Sequence, residues 1–340
     1  MNIAINASRA KSGGGIRHIK GIIEEIDEEI IEENNIHIWS YKNLLDKIVA
    51  TKNIKKHSYF FSNYNLFFQI FWEYFILPID LRKNKIDILI NVDAGSFCYF
   101  KPSISISRDM LPFEPEVTRN FGFIYKLRNK ILKFTHISSL NNAIYAIFLT
   151  NYAAETIKPF LKKDLQYQII PHGVDSNFFL KKTISYPKSN SSEIIITYVS
   201  PCLPYKNHAK VIEAIFNLRK KNNLNLKLQI IGQVTKYSKK ELFSATSKFS
   251  FEDKFVEIKE NIKQNEIPNI LRDSHIFLFA SSCENMPNSL LEGMASGLPI
   301  VCSNVGSMPE ILKDGGVYFN PIDVESIEKA LEKLILDEEN

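Results

Sequence analysis

The stretch 275–303 constrains the fold more than any other part of the chain. It opens with the apolar run HIFLFA (275–280), crosses a polar loop, and returns to apolar sequence in PIVCS (299–303). Between them, 287–296 reads as a short helix, with Pro287 near its start and Gly297 just past its end, the asymmetry expected of helix termini. Buried strand, loop, helix, buried strand is one βαβ unit of a parallel sheet. It places Glu284 in the loop and Glu292 in the helix, both at the carboxyl end of a strand, where open parallel sheets bind ligands.

The rest of the chain repeats this alternation in two blocks. In the first, strands are predicted over 2–6, 87–92, 103–107, 143–150 and 168–171. A helix from Ile16 puts Ile16, Ile19, Ile23, Ile26 and Ile30 on one face, and helical patterns cover 117–140 and 151–161. A polar linker, 181–193 (KKTISYPKSNSSE), separates the halves. Beyond it, strands are predicted over 194–199, 226–231, 255–258, 275–280 and 299–303, and helices over 207–221, 267–273, 287–296 and 324–336. The expected fold is α/β: two Rossmann-like doubly wound parallel-sheet domains, 1–175 and 176–340, with ligand in the cleft they face.

Composition excludes several classes. Forty-two basic and 38 acidic residues leave a net charge of +4, too balanced to argue for nucleic acid. Cys98, Cys202, Cys283 and Cys302 show no metal-ligand spacing and suit a reducing cytoplasm as small core residues; the seven histidines are scattered. No structural metal and no cofactor are expected. The N-terminus reads as a strand rather than a signal peptide. The most apolar stretch, 59–79, is interrupted by Asn63, Asn65, Gln69 and Glu73, so it is not a transmembrane helix. Its aromatic residues are expected in the core. Basic residues nearby (Lys52, Lys55, Lys56, Arg82, Lys83, Lys85) and at Lys126, Arg128, Lys130 and Lys133 fit either a face resting on anionic lipid or a solvated lysine-rich surface.

Ionised carboxylates only accept hydrogen bonds, and one can grip two neighbouring hydroxyls of a sugar. A helix N-terminus offers free N–H groups and a positive dipole end, which suit phosphate. Eight residues apart in sequence, Glu284 and Glu292 would lie about 80° apart on one helix. A loop Glu284 and a helical Glu292 instead face one ligand from two sides. An isolated glutamate is ordinarily a solvated surface acid, but this pair flanks an apolar helix. The arrangement suits a polyhydroxylated ligand bearing phosphate.

The segment resembles the E-x7-E signature of retaining glycosyltransferases of family four, whose two-Rossmann-domain fold is called GT-B. The resemblance runs over 1–336 and is closer in the C-terminal half. It implies that Glu292 holds the ribose of a nucleotide-sugar donor and that Glu284 lies beside the donor sugar and the reacting centre. Where the family has glycine-rich residues after the first glutamate, this chain has Asn285, Met286 and Pro287. Proline has no N–H, so backbone contacts to the sugar fall to Asn285 and Met286.

Residues 198–208 read YVSPCLPYKNH, which places Lys206 at a helix start. A cation there opposes the helix dipole unless an anion is present. Position alone fits a surface lysine as well as a diphosphate ligand; the resemblance favours diphosphate. The family's Gly-Arg six residues earlier is Ser200-Pro201 here, so one phosphate-binding cation is missing. Gly13–Gly15 forms a loop where the family has a glycine-rich loop, which implies that Gly14 and Gly15 approach the donor phosphates or the acceptor; otherwise they form a tight turn. The family's His-Asp after the strand at 103–107 is Arg108-Asp109 here. Arg108 and Asp109 are either part of the reacting centre, with Arg108 replacing the missing cation, or a surface pair. His172, in the turn Pro171-His172-Gly173-Val174-Asp175, either lines the cleft or serves as a hinge-turn residue, and the hinge reading is preferred.

The resemblance therefore implies a metal-independent hexosyltransferase acting with retention. It would move a hexose from a nucleotide diphosphate sugar to a growing, lipid-linked bacterial surface glycan at the inner face of the cytoplasmic membrane. Pro204-Tyr205-Lys206 is similar to a mannosyltransferase-like branch. The competing readings are a nucleotide-sugar epimerase or glycogen-synthase-like enzyme on the same architecture, and a non-catalytic scaffold. Relatives continue into a further terminal helix, so the end at Asn340 reads as a shortening or a truncation.

Overall fold

The computed structural model describes residues 1–9, 14–49, 52–59, 66–119, 121–179 and 193–336. The chain divides into two compact units, Met1–Gly173 and Val174–Asn340. Each is built on one sheet whose ladders are all parallel.

The first unit runs β1 (Asn2–Asn6), α1 (Gly14–Glu24), α2 (Glu28–Glu33), β2 (Asn35–Ser40), α3 (Lys42–Leu45), β3 (Ile54–Ser58) and α4 (Leu66–Phe71). A π-helical turn (Trp72–Ile76) leads into α5 (Leu77–Lys83), β4 (Ile88–Asn91), β5 (Ser103–Ser107), α6 (Phe123–Asn142), β6 (Tyr145–Phe148), α7 (Asn151–Ile157) and β7 (Gln166–Ile169). Strand order is β3-β2-β1-β4-β5-β6-β7, so the direction of winding reverses between β1 and β4. The π turn precedes Pro78, which cannot donate back to the preceding turn, and the helix widens ahead of it.

The second unit runs β8 (Ile194–Val199), α8 (His208–Asn222), β9 (Leu226–Ile231), α9 (Lys239–Phe249), β10 (Val256–Lys259), α10 (Ile267–Arg272) and β11 (Ile276–Phe279). It ends with α11 (Asn288–Ala295), β12 (Ile300–Ser303), α12 (Met308–Leu312), β13 (Val317–Phe319) and α13 (Val324–Leu336). Strand order is β10-β9-β8-β11-β12-β13, with the reversal between β8 and β11. All residues of β11 and β12 are buried, as expected of strands covered on both faces by helices. Both units are doubly wound α/β domains of the expected class.

Several local expectations are corrected. The helix predicted from Ile16 is two helices, α1 and α2, interrupted at 25–27. Like charges crowd that stretch, which disfavours one continuous helix, and Glu28 and Glu29 instead occupy the favourable first turn of α2. Gly14 and Gly15 open α1 rather than lie in a loop, and Gly13 falls outside the described residues. The helix predicted over 117–140 starts at Phe123, behind Gly122. The one predicted over 151–161 ends at Ile157 and tightens into a 3-10 turn containing Pro159. β2, β3, α9 and β13 carried no sequence expectation. β3 is a sheet edge bearing Lys55 and Lys56, a charged edge that discourages pairing with other chains. The aromatic residues of 59–79 are not all core. Trp72 is buried, while Phe71, Tyr74 and Phe75 are exposed; Phe60, Phe61 and Tyr64 lie outside the described residues.

Candidate functional site

In the second unit, the loops leaving β8 and β11 flank the point where winding reverses, the place where a doubly wound sheet opens a crevice at its carboxyl edge. The β8 loop carries Lys206 in a 3-10 turn (Pro204–Lys206), and the β11 loop carries Glu284. The Lys206 ammonium forms an ion pair with Glu284 Oε1. Lys206 is only 6% exposed, and its Nζ lies 5.4 Å from the ring centre of Tyr205 and 5.3 Å from that of Phe279. Aromatic faces attract a cation and exclude water around it.

The loop is bolted in place by side chains that the sequence did not single out. Asn207 adopts a left-handed conformation (φ 55°), which asparagine tolerates. Its Nδ2 donates to the carbonyl oxygens of Ala280 (2.8 Å) and Tyr205 (3.1 Å) and to Ser282 Oγ (2.8 Å). The Ser282 N–H donates to the Tyr205 carbonyl at 2.8 Å. Ser307, before α12, donates through Oγ to the Glu284 carbonyl at 3.2 Å. Three strand-end loops are thereby joined around the ion pair.

Glu292 is buried in α11, 4% exposed, and its Oε1 accepts from Gln264 Nε2 at 3.0 Å. Its neighbour Gly293 explains how the helix comes so close to the sheet: a Cβ there would lie 2.6 Å from the Phe277 ring. Gly232, just after β9, plays the same part beside the β8 loop, since a Cβ would lie 2.1 Å from the Ser200 carbonyl oxygen. Asn285 is buried and Met286 half-buried between Glu284 and the start of α11. Pro287 N-caps α11 without a side-chain hydrogen bond, so the first-turn N–H groups of that helix face the same end of the sheet. The expected Lys206, Glu284, Asn285, Met286 and Glu292 thus lie on two adjoining strand-end loops and the helix that follows.

Beneath Lys206 sits an uncharged aromatic floor. Tyr198 is fully buried and stacks on His208, ring centres 4.5 Å apart. Burial first, then the charge of Lys206, pushes the His208 imidazole down to about 3. Burial, then the charge of Glu284, pushes the Tyr198 phenol well up. Both groups are therefore neutral at physiological pH.

Arg108, Asp109, Gly14 and Gly15 belong to the first unit, again at the carboxyl ends of its strands. Arg108 and Asp109 follow β5. Both are half-buried rather than exposed. Burial lowers the Arg108 pKa, and its Nε has no hydrogen-bond partner among the described residues. Burial raises the Asp109 carboxyl, against the opposing charge of His136. Asp93, after β4, stands 3.5 Å from His136 Nε2. Burial acts to raise Asp93, but the His136 contact, the Arg9 charge and the Gly95 N–H outweigh it and hold the carboxyl well below the usual range. His18 on α1 meets His172 edge-on at 4.3 Å, and burial lowers the His18 pKa to about 3. His172 is thus part of this aromatic contact as well as of the turn that ends the unit.

Glu73, noted in the sequence only as an interruption of the apolar stretch 59–79, has a structural role. It is fully buried in the π turn. Arg9 donates Nε to Oε1 (3.0 Å) and Nη2 to Oε2 (2.9 Å); Ser8 Oγ (2.9 Å) and the Phe97 N–H (3.0 Å) donate as well. A carboxylate so completely paired is a rigid support for the strand ends of β1 and β4. The available signal was a lone acid inside an apolar, aromatic run.

Residues 181–340 match the family described as "Glycosyl transferases group 1". That match covers the C-terminal part of the chain alone. Among curated relatives, the MMP alpha-(1->4)-mannosyltransferase of Mycolicibacterium hassiacum is 25% identical over 228 residues, 65% of this chain and 50% of that protein. The capsular polysaccharide biosynthesis glycosyltransferase CapH of Staphylococcus aureus is 28% identical over 241 residues, 68% of this chain and 63% of that protein. The chain spans less than two thirds of the length of either. Among solved structures, Anabaena Alr3699/HepE, in complex with UDP and glucose, superposes with a TM-score of 0.73 at 15% identity, covering 99% of this chain and 90% of that one. At that identity the likeness establishes the fold, the GT-B class of two Rossmann-like domains. The glycosyl transferases group 1 match spans β8 to α13, and so contains Lys206, Glu284 and Glu292.

Proposed function

We propose that this chain is a retaining glycosyltransferase that moves a hexose from a nucleotide diphosphate sugar to a hydroxyl of a growing, lipid-linked bacterial surface glycan. The observation that carries the reading is the ion pair between the buried Lys206 and the part-buried Glu284, at the reversal point of a sheet inside the region matching glycosyl transferases group 1, with Glu292 on the next helix.

In this reading Glu292, held by Gln264, accepts from the ribose hydroxyls. Lys206 and the first-turn N–H groups of α11 receive the diphosphate. A diphosphate competes with Glu284 for the positive charge of Lys206 and frees that carboxylate to face the sugar. The backbone N–H groups of Asn285 and Met286 orient the sugar, and Gly14 and Gly15 present the N-terminal backbone of α1 to donor phosphate or acceptor. The bond from the anomeric carbon to the diphosphate oxygen breaks as the acceptor oxygen bonds to the same face of that carbon. The acceptor proton passes to the departing diphosphate oxygen. Glu284 stabilises positive charge developing at the anomeric carbon, and Lys206 stabilises negative charge on the leaving group. Arg108 and Asp109 are assigned to the reacting centre from the first unit. No metal is needed for this balance of charge.

Mannose is the preferred sugar, on the strength of Pro204-Tyr205-Lys206 and of the mannosyltransferase among the relatives. The setting we assign is the inner face of the cytoplasmic membrane. Melting the protein with GDP, UDP, ADP and their sugars tests donor binding, because a ligand that prefers the native state raises the melting temperature. The reading requires stabilisation by one nucleotide, and transfer of label from its sugar only when an acceptor is present. Label rearranged without acceptor would mean epimerisation, and stabilisation without transfer or hydrolysis would mean a binding protein.

A further inference from the structure

Helix α6 is built inside out. Its residues facing the unit interior are mostly polar: Asn129, Thr135, His136 and Ser139 are buried. Ser139 Oγ meets Ser105 Oγ at 3.2 Å and His136 reaches Asp93, so this face belongs to the polar cluster at the strand ends. The opposite face is apolar and open to solvent. Phe123 is 80% exposed, Ile124 83% and Phe134 69%, with Leu127 and Ile131 also exposed. At 100° per residue, these five side chains fall within one arc of about 100°. Lys126, Lys130 and Lys133 border the arc on one side and Arg128 on the other. The helix contains no acidic residue. A solvated helix carries the reverse pattern, so an outward apolar stripe needs an occupant.

The stripe is continued by neighbours. Tyr99 Oη lies 3.0 Å from Ser138 Oγ on α6, and its ring meets Tyr74 of the π turn edge-on at 5.8 Å. Phe71, Phe75 and Ile79 extend the exposed apolar surface along that second helix. Beside Phe134 and Tyr99 a groove of about 380 Å³ ends at Lys162. No described helix is long and apolar enough to cross a membrane.

We propose that this face of α6, with the Tyr74–Tyr99 surface, docks onto an anionic phospholipid bilayer, the helix lying in the plane of the headgroups. Apolar side chains enter the acyl boundary while long cationic side chains on both flanks reach the headgroup phosphates. A second copy of the chain fits less well. A two-fold contact would set the same unbalanced lysines and arginine of both copies against each other. The inference does not depend on the chemistry of the second unit.

The test is co-sedimentation of the full chain with vesicles of phosphatidylcholine alone or mixed with phosphatidylglycerol. Binding is expected only to the mixed vesicles and should weaken as salt rises. The variant Lys126→Glu/Lys130→Glu should lower the bound fraction at least about tenfold, given the contribution of each basic residue near an anionic surface. Phe123→Ser/Leu127→Ser/Phe134→Ser should abolish binding. Both variants should keep the wild-type melting temperature and nucleotide-induced shift. Equal recovery with mixed, neutral and absent vesicles would overturn the proposal. So would wild-type chain that sediments as a dimer and is made monomeric by the serine variant.

Discussion

The hydroxyl of Tyr198 donates to the backbone carbonyl of Lys206 at 2.9 Å, from a side chain that is completely buried. A residue of the central strand β8 therefore fixes the height of the lysine above the sheet. Tyr198→Phe keeps the ring and its stacking on His208 but leaves the carbonyl unsatisfied. A lost buried hydrogen bond of this kind costs about 1–3 kcal/mol. The expected outcome is a lower melting temperature together with weaker nucleotide binding, read in one thermal-shift series. Unchanged nucleotide affinity would show that the lysine needs no such support.

Lys206→Ala and Glu292→Ala are each expected to lower transfer by at least about tenfold, the effect of losing one charge-assisted contact of roughly 1.5–3 kcal/mol. The ion pair makes a further demand. Removing Lys206 leaves Glu284 without its cation partner, so Lys206→Ala/Glu284→Gln should melt higher than Lys206→Ala alone. A double variant no more stable than the single one would argue that the pair is weakly coupled.

Gly293→Ala forces a Cβ to within 2.6 Å of the Phe277 ring, both held in a buried layer. Overpacking of this size typically costs about 1–3 kcal/mol. Because Gly293 adjoins Glu292, the displaced helix should also move that carboxylate, and nucleotide affinity should fall with stability. Phe277→Leu in the same chain should recover part of both losses. A melting curve indistinguishable from wild type for Gly293→Ala alone would count against the close approach.

His208 predicts a pH dependence with a definite sign. Its folded pKa of about 3 lies below the ordinary value of 6.5. Between those values the unfolded chain binds a proton that the folded one refuses. This contribution to stability is therefore fully present above the unfolded pKa and is lost as pH falls towards the folded one, by about 1.4 kcal/mol per pH unit. His18 adds the same trend in the first unit. His208→Phe should melt with a shallower decline between neutral pH and about pH 5. A parallel decline in variant and wild type would mean that His208 gains its proton without cost.

Arg108 carries a buried Nε with no partner among the described residues. If it replaces the cation absent at Pro201, Arg108→Ala should weaken donor affinity by about tenfold. Calorimetric titration with the nucleotide sugar checks this; an unaltered dissociation constant would remove Arg108 from the donor site.

The pattern of residues alone determined the class of fold. Buried apolar runs such as IIITYV and HIFLFA, alternating with helical periodicity, admit only parallel sheets covered on both faces. Strands at 2–6, 194–199 and 226–231 and the helix at 324–336 fall where the pattern puts them. The spacing of Glu284 and Glu292 and the position of Lys206 were legible for the same reason: each is fixed by the local element that carries it. Only tertiary structure decided what meets what. The pairing of Lys206 with Glu284, the Gln264 partner of Glu292, the Asn207 staple and the buried Glu73–Arg9 pair all join residues far apart in sequence, and no local periodicity encodes such a meeting. The inverted face of α6 was hidden likewise. Its mixture of apolar, basic and polar residues has a meaning only once the sheet shows which side is inside.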